Sequence, residues 1–427
     1  MRGRRQDIEG RGSRFRWDLL AMWFGFALIL AGLPTLYSSP VAITILNQMG
    51  ISIVFALSYN MLLGQGGMLS FGHAAYFGLG GFFAVHVMNA VGNDGWPIAL
   101  PLLPFIGGLF GLLFAVVIGS FSTRRAGTVF AMISLGIGEL LAACSIIFVV
   151  FFGGEEGVSA DRTLGPTVLG YDFISEIEVY ALTAIIVFLT AALMYLFSRT
   201  PLGRLANAVR DNPERVEFLG YNPRVVRFLS FCASGFFAGV AGGLFAINYE
   251  IVTEENLNLA TSGWVLLMVY VGGVGYFVGP IIGAVLLTLL QTVLSHHTEI
   301  WRLYLGILFL LTVMFAPTGI TGLVMMHRPA WQAGRLKGLI RPYITLVLPV
   351  LATLAGLIGL LEMIHRVNAS GVRTTLWAPF GFAVDLAAGW PWLAAVSLVL
   401  VGSFGIKRCL PSLKEAWGHA YVSRDIP

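Results

Sequence analysis

The stretch from 97 to 119 reads "PIALPLLPFIGGLFGLLFAVVIG" and contains no charged side chain. A helix needs about 20 apolar residues to cross the ~30 Å hydrocarbon core of a bilayer, and this segment meets that length. Runs of the same kind recur along the 427-residue chain, at 18–36, 41–63, 66–90, 127–152, 178–197, 228–249, 262–278, 280–295, 301–321, 343–361 and 390–406. Composition agrees: 57% of residues are hydrophobic, only 11% are charged, and the mean hydropathy is +0.82. A soluble domain carries about 25% charged residues, and no packed core of this size could hide so much apolar surface from water. A soluble enzyme, a disordered regulator and a nucleic-acid-binding module are excluded. The expected fold class is all-α, a polytopic transmembrane bundle of about 12 spans.

The few charges orient the bundle. Cytoplasmic loops collect Lys and Arg, and 22 of the 26 basic residues fall on one side when the spans alternate from a cytoplasmic N-terminus. They lie before the first span, at Arg124 and Arg125, in 199–227, in 328–341 and after residue 406; only Arg162, Arg302, Arg366 and Arg373 fall outside. Both termini are therefore expected in the cytoplasm. The basic N-terminus leads into an apolar run of span length with no small-residue cleavage site, so that run reads as a retained first helix. Of three cysteines, Cys144 and Cys232 lie in apolar runs, which argues against a disulfide framework. The chain divides into a basic N-terminal segment (1–17), a transmembrane core (18–327) and a C-terminal extension with two further spans (328–427).

Glycine clusters interrupt two apolar regions, "LLGQGGMLSFGHAAYFGLGG" at 62–81 and "YVGGVGYFVGPIIGA" at 270–284. Each is compatible with two tight spans or with a broken helix. Non-helical backbone survives at membrane depth only inside protein or along a wet cavity, and paired interruptions in the two halves of a chain often mark a substrate path. Glycine-rich seams are also common in any membrane bundle.

The soluble segment 199–227, "RTPLGRLANAVRDNPERVEFLGYNPRVVR", is too polar to span. Asn212 before Pro213 is an N-cap followed by proline at the first helical position. Glu214 suits the positive helix N-terminus, and Gly220 supplies a left-handed stop. Asn222 and Pro223 repeat the start signal. The pattern predicts a short helix over 213–219, held between two spans and suited to act as a lever for a partner; an ordinary positive loop is the plainer alternative.

This segment and its continuation, "GRLANAVRDNPERVEFLGYNPRVVRFLSFCASGFFAGVAGGLFA" at 203–246, resemble the coupling-loop region of the branched-chain amino acid ABC importer permeases, the M-type subunit in particular. "GQGGMLSFGHAAYFGLGG" (64–81), "FAMISLGIGELL" (130–141), "GGVGYFVGPIIGA" (272–284) and "FAPTGITGL" (315–323) resemble further family segments in the same order. The resemblance implies a permease subunit of an importer in a bacterial cytoplasmic (inner) membrane, moved by alternating access. Its implied partners are a second, similar permease in a heterodimer, two cytoplasmic ATP-binding subunits, and a periplasmic or extracellular substrate-binding protein. It also implies that Gly203, Arg204, Arg210, Asp211, Asn212, Glu214, Arg215, Glu217 and Gly220 serve ATPase coupling. Gln65, Ser70, Phe71, Gly72, His73, Glu139, Gly272 and Gly273 are the candidates for the translocation path. The sequence departs from the family where Arg215-Val216 and Phe218 replace small residues and where the outer loop reads "GGEEGVSADR". Residues 328–427 lie beyond the resemblance.

No Gly-x-x-x-x-Gly-Lys-Ser/Thr loop occurs, so ATP hydrolysis is expected on another polypeptide. No enzyme constellation, cofactor or metal site is expected, and neither is a nucleic-acid partner. Glu139, deep in a span, should face the bundle interior or be neutral, since a charge at the bilayer centre costs at least about 2.5–3.5 kcal/mol. A helix contact, a place on the path and proton coupling are its alternatives, in that order. His73 reads first as a buried imidazole satisfying broken backbone, and second as a substrate contact. His296, His297 and Glu299 lack spaced partners and read as interfacial residues. The acidic outer loops, 153–178 and 250–261, are where a binding protein would dock. Permeases for urea or short amides share these motifs and stay open as the nearest alternative. A stand-alone secondary transporter is more distant, because clustered intramembrane charges are missing.

Overall fold

A computed structural model describes residues 3–167, 170–332, 334, 336–370, 376–377, 384–386 and 388–421, with side chains at 17, 19–167, 170–332, 334, 336, 338–368, 385–386 and 388–418. Arg373 lies outside the described residues. The chain divides into two compact units, Met1–Thr292 with Leu308–Thr321 and Val293–Ile307 with Gly322–Pro427.

The helices, in order, are α1 (Gly3–Leu36), α2 (Pro40–Asn60), α3 (Ala74–Asp94), α4 (Leu103–Ser122), α5 (Thr128–Ile147), α6 (Val149–Phe152), α7 (Glu176–Arg199), α8 (Pro201–Asp211), α9 (Pro213–Phe218), α10 (Pro223–Tyr249), α11 (Leu259–Gly272), α12 (Val278–His297), α13 (Trp301–Phe315), α14 (Gly319–Met326), α15 (Arg328–Gln332), α16 (Leu336–Ser370) and α17 (Gly389–Tyr421). Every expected span coincides with a helix. Ten are long and apolar enough to cross a membrane among the described residues, and α13 with α14–α15, bent by 42°, is either an eleventh, broken span or a re-entrant loop. The remaining one, α11, has only 14 residues, about 21 Å of rise. It stops at Gly273, whose φ of 124° an L-residue rarely adopts, so the glycine cluster cuts the span short.

The first unit is built on a small-residue seam between α3, α4 and α10. Lipid gives helices no hydrophobic reason to associate, so close approach and dispersion must hold them together. Gly239 packs directly on the Gly107 carbonyl, and a side chain at Gly111 would meet the Gly239 Cα at 2.9 Å. α1 is pinned to α7 by the Tyr180 hydroxyl, which donates to the Leu30 carbonyl at 2.6 Å. Trp23 packs edge-on against Phe188 and Tyr195.

On the outer side of this unit, strands β1 (Val158–Ser159) and β2 (Ile251–Val252) pair antiparallel. Beneath them Arg162 is only 7% exposed. Its guanidinium donates to Glu176 Oε1 at 2.7 Å and to the carbonyls of Phe173, Ile247 and Asn248. Its backbone N–H donates to Glu250 Oε1 at 3.0 Å. Phe173 and Glu250 are the non-glycine residues with positive φ, 57° and 56°, among the described residues, and both bond to this arginine.

In the second unit α16 and α17 form a long helical pair, with Gly402 close against the Pro349 carbonyl. The Tyr304 hydroxyl donates to Glu362 Oε1 at 2.9 Å, and a short antiparallel pair, β3 (Leu376–Trp377) and β4 (Val384–Asp385), lies between the two helices in sequence. His297 bonds the carbonyl of Val293 one turn back, and Glu299 pairs with His365 at 3.3 Å while standing largely in the open.

Candidate functional site: the coupling segment and the two helix breaks

Two helices fill the soluble segment. The predicted short helix is α9, and its cap is the expected one: Asn212 Oδ1 accepts the Arg215 N–H at 3.0 Å. Gly220 sits at φ 85°, and the N–H groups of Gly220 and Tyr221 close onto the carbonyls of Glu217 and Val216. The sequence reading missed α8. Its signal was present in Thr200-Pro201, another capping residue before proline at the first helical position; Thr200 Oγ1 accepts the Gly203 N–H at 3.2 Å. α8 is amphipathic, burying Gly203, Ala206 and Val209. Val216 of α9 joins Ala206, Val209 and Val226 in one small core, so α9 is locked to α8 and α10.

Among the polar groups this core leaves outside are three large apolar or aromatic side chains, Phe218, Leu219 and Tyr221. Phe218 is 90% exposed and Leu219 68%, next to exposed Glu214, Arg215, Glu217 and Tyr221. Arg204, Asp211 and Asn212 are exposed as well, whereas Gly203 is buried against the end of α7. Arg210 turns toward the bundle, where its guanidinium donates to the carbonyl of Gly64.

Gly64 belongs to the first break. After α2 the chain makes a π turn, Met61–Gln65, and runs without regular helix to His73 before α3 begins. The freed backbone is satisfied by side chains from other elements, as membrane depth requires. The Tyr59 hydroxyl donates to the Ser70 carbonyl at 2.9 Å, Ser134 Oγ accepts the Phe71 N–H at 3.1 Å, and Ser262 Oγ accepts the Ala74 N–H at 3.0 Å. Gly72 lies flat against the Ser134 carbonyl, with no room for a side chain. His73 is buried, its Nε2 3.0 Å from Ser58 Oγ and its ring stacked on Phe55. Gln65 Oε1, Ser70 Oγ and His73 Nδ1 are buried without a hydrogen-bond partner among the described residues.

The second break, 273–277, joins α11 to α12. Gly272 packs on the Gly279 carbonyl and Gly273 faces the Thr318 carbonyl, which closes the turn tightly. Asn60, a residue the sequence reading did not single out, ties the two breaks together. Its Oδ1 accepts the Gly275 N–H at 3.1 Å, and its Nδ2 donates to the Tyr276 carbonyl at 3.3 Å. Only a contact more than 200 positions away in sequence gives it this role, and no local pattern carries that information.

Glu139 was expected to face the bundle interior or to be neutral; in the single chain it lies on an exposed face of α5. α5 buries Phe130, Ala131, Ser134, Gly138 and Ala142, while Met132, Gly136, Glu139 and Ala143 stand exposed on another face. The helix turns its small and polar Ser134–Gly138 side toward the first break, and that register leaves the carboxylate outside.

The comparisons with known proteins agree with this architecture. Residues 41–316 match the family model described as "Branched-chain amino acid transport system / permease component". The high-affinity branched-chain amino acid transport system permease protein LivM of Salmonella typhimurium is 28% identical over 313 residues, covering 67% of this chain and 71% of the relative. LivM of Escherichia coli strain K12 shows the same identity and coverage. The probable permease protein LivH of Methanocaldococcus jannaschii is 24% identical over 271 residues, covering 59% of this chain and 82% of its own. No solved structure matches significantly. With its multi-pass helical bundle and a family match over most of its length, the chain belongs to the branched-chain amino acid transport permease family.

Proposed function

We propose that this chain is one permease half of an ATP-driven importer for branched-chain or closely related amino acids. Separate ATP-binding subunits dock on the cytoplasmic coupling segment and drive alternating access. The observation that carries this reading is the α8–α9 pair: a rigid, polar-flanked lever outside the membrane that presents Phe218, Leu219 and Tyr221 to a partner. Apolar groups placed there gain by burial about 25 cal/mol per Å², and their own chain leaves them uncovered. Arg204, Asp211, Asn212, Glu214, Arg215 and Glu217 surround that tip as the polar rim of the dock, and Gly203 and Gly220 fix its two ends. ATP-driven closure of the partner pair would then move the segment as a body and bias the bundle between two states.

The exposed face of α5 supports a second permease subunit and a path beside it. A carboxylate left against lipid costs at least about 2.5–3.5 kcal/mol, so Glu139 calls for protein or water opposite. The unpaired polar atoms of Gln65, Ser70 and His73 mark the first break as the polar part of the interior, with Phe71, Gly72, Gly272 and Gly273 shaping its backbone. Acidic outer loops braced by Arg162 offer the docking face for a substrate-binding protein.

The test is reconstitution with the ATP-binding subunits, second permease and binding protein in proteoliposomes. ATP-dependent leucine uptake is expected, competed by isoleucine and valine but not by urea. Phe218→Asp should reduce co-purification of the ATP-binding subunits at least ten-fold. Uptake that continues without ATP overturns the reading in favour of a secondary transporter, and competition by urea assigns the substrate to the short amides.

A further inference from the structure

Three elements converge at the cytoplasmic end of the first unit. The first is the π turn that ends α2: the Leu62 and Leu63 carbonyls accept the N–H groups of Met68 and Gly67, and a carbonyl at a helix C-terminus such as that of Gly64 favours a cation. Arg210 of α8 donates to the carbonyl of Gly64. The second is the break at 273–277. The backbone of Gly64 lies against Gly275, since a side chain at Gly64 would meet the Gly275 nitrogen at 2.9 Å and the Asn60 amide. Asn60 then holds Gly275 and Tyr276 by two further hydrogen bonds. The third is α8 itself, whose approach is fixed by glycine. Gly67 sits at φ 65°, and a side chain there would meet Arg210 Cγ at 2.6 Å, so the aliphatic stem lies on bare backbone. Asp211 Oδ1, 3.0 Å from the guanidinium, orients it from the coupling side.

We infer that Arg210 is the transmission residue of the coupling segment. Through the Gly64 carbonyl it holds the end of α2, and through the Gly64–Asn60–Gly275 contact it makes both helix breaks follow α8. This inference deepens the proposed function and rests on it. Arg210 acts through the backbone it positions and touches neither nucleotide nor substrate. The family resemblance groups it with the ATPase-coupling residues; in the structure it stays partly exposed beside Asp211 while its guanidinium also reaches the Gly64 carbonyl. A displacement of α8 is thereby passed to the two interruptions of the bundle at once, and a bidentate, planar guanidinium does this better than a point charge.

The experiment uses the full complex in proteoliposomes and measures ATP hydrolysed per leucine imported. In Arg210→Gln the ATP-binding subunits should co-purify as in wild type and hydrolysis should stay within two-fold. Uptake per ATP should fall at least ten-fold. Arg210→Lys, which keeps the charge and loses the fork, should fall in between, by about three-fold. A purely structural residue would lower both activities together and leave the ratio unchanged. An unchanged ratio in Arg210→Gln overturns the inference; should that variant not assemble, an unchanged ratio in Arg210→Lys overturns it. Failure of the wild-type chain to retain ATP-binding subunits would instead overturn the proposed function, so the two failures are distinguishable.

Discussion

Arg162 shows how much of this protein depends on single contacts that no local pattern announces. In the sequence it is one of four basic residues on the sparse outer side. In the fold it is buried, paired with Glu176, and bonded to the two non-glycine residues held at positive φ. Strained backbone of that kind persists only where surrounding contacts over-determine it. Removing Arg162 leaves buried carbonyls without their donor beside the partly exposed Glu176, and a buried polar group left unsatisfied costs about 1–3 kcal/mol. Arg162→Met should therefore lower the detergent-solubilised thermal midpoint by several degrees, and Arg162→Lys should recover only part of that loss. A midpoint equal to wild type in Arg162→Met would show that the carbonyls and Glu176 find other partners. Residues whose role is local were legible from the start: Asn212 caps and Gly220 stops a helix because of what their own neighbours do. Arg162, Asn60 and the inward turn of Arg210 were not, because their partners are distant in sequence.

At the scale of elements, hydrophobic runs predicted every membrane helix, and capping residues predicted α9 to within a residue. The register of α5 was the exception. An apolar run fixes that a helix lies in the membrane but says little about which side faces protein, and the expectation that Glu139 faces the interior or is neutral rested on the cost of a charge in lipid alone. Small residues decide the matter: Ser134 and Gly138 pack on the first break and carry Glu139 away from it. The same logic separates two glycines of similar appearance. Gly239 lies on the backbone of Gly107, whereas a side chain at Gly136 would meet nothing within 4 Å. Gly239→Ala must push α4 and α10 apart and should cost about 1–3 kcal/mol. Gly136→Ala should leave the isolated chain as stable as wild type or slightly more stable, through helix propensity. Thermal unfolding of the two variants side by side checks this; equal midpoints would contradict the seam between α4 and α10.

For the whole molecule, the distribution of 22 of 26 basic residues predicts the sidedness, and the crossings must have a parity that agrees. The short α11 is the critical member, at about 21 Å against a core of about 30 Å. Reporter fusions after Asp94, Gly334 and Tyr421 should read external, cytoplasmic and cytoplasmic. If α11 failed to cross, the fusion at Gly334 would read external. The division into 18–327 and an extension rests on where the resemblance stops, whereas the compact units exchange Val293–Ile307 and Leu308–Thr321. Such non-contiguous packing is invisible to a reading that proceeds along the chain.

The outward-facing carboxylate on α5 also bears on how the protein is made. A copy without companion subunits leaves Glu139 exposed on α5 and Phe218 exposed on the coupling segment. On the proposed function both are surfaces that companion subunits cover, so this chain expressed alone should be lost faster in a pulse-chase than the chain co-expressed with them; equal rates of loss would contradict that.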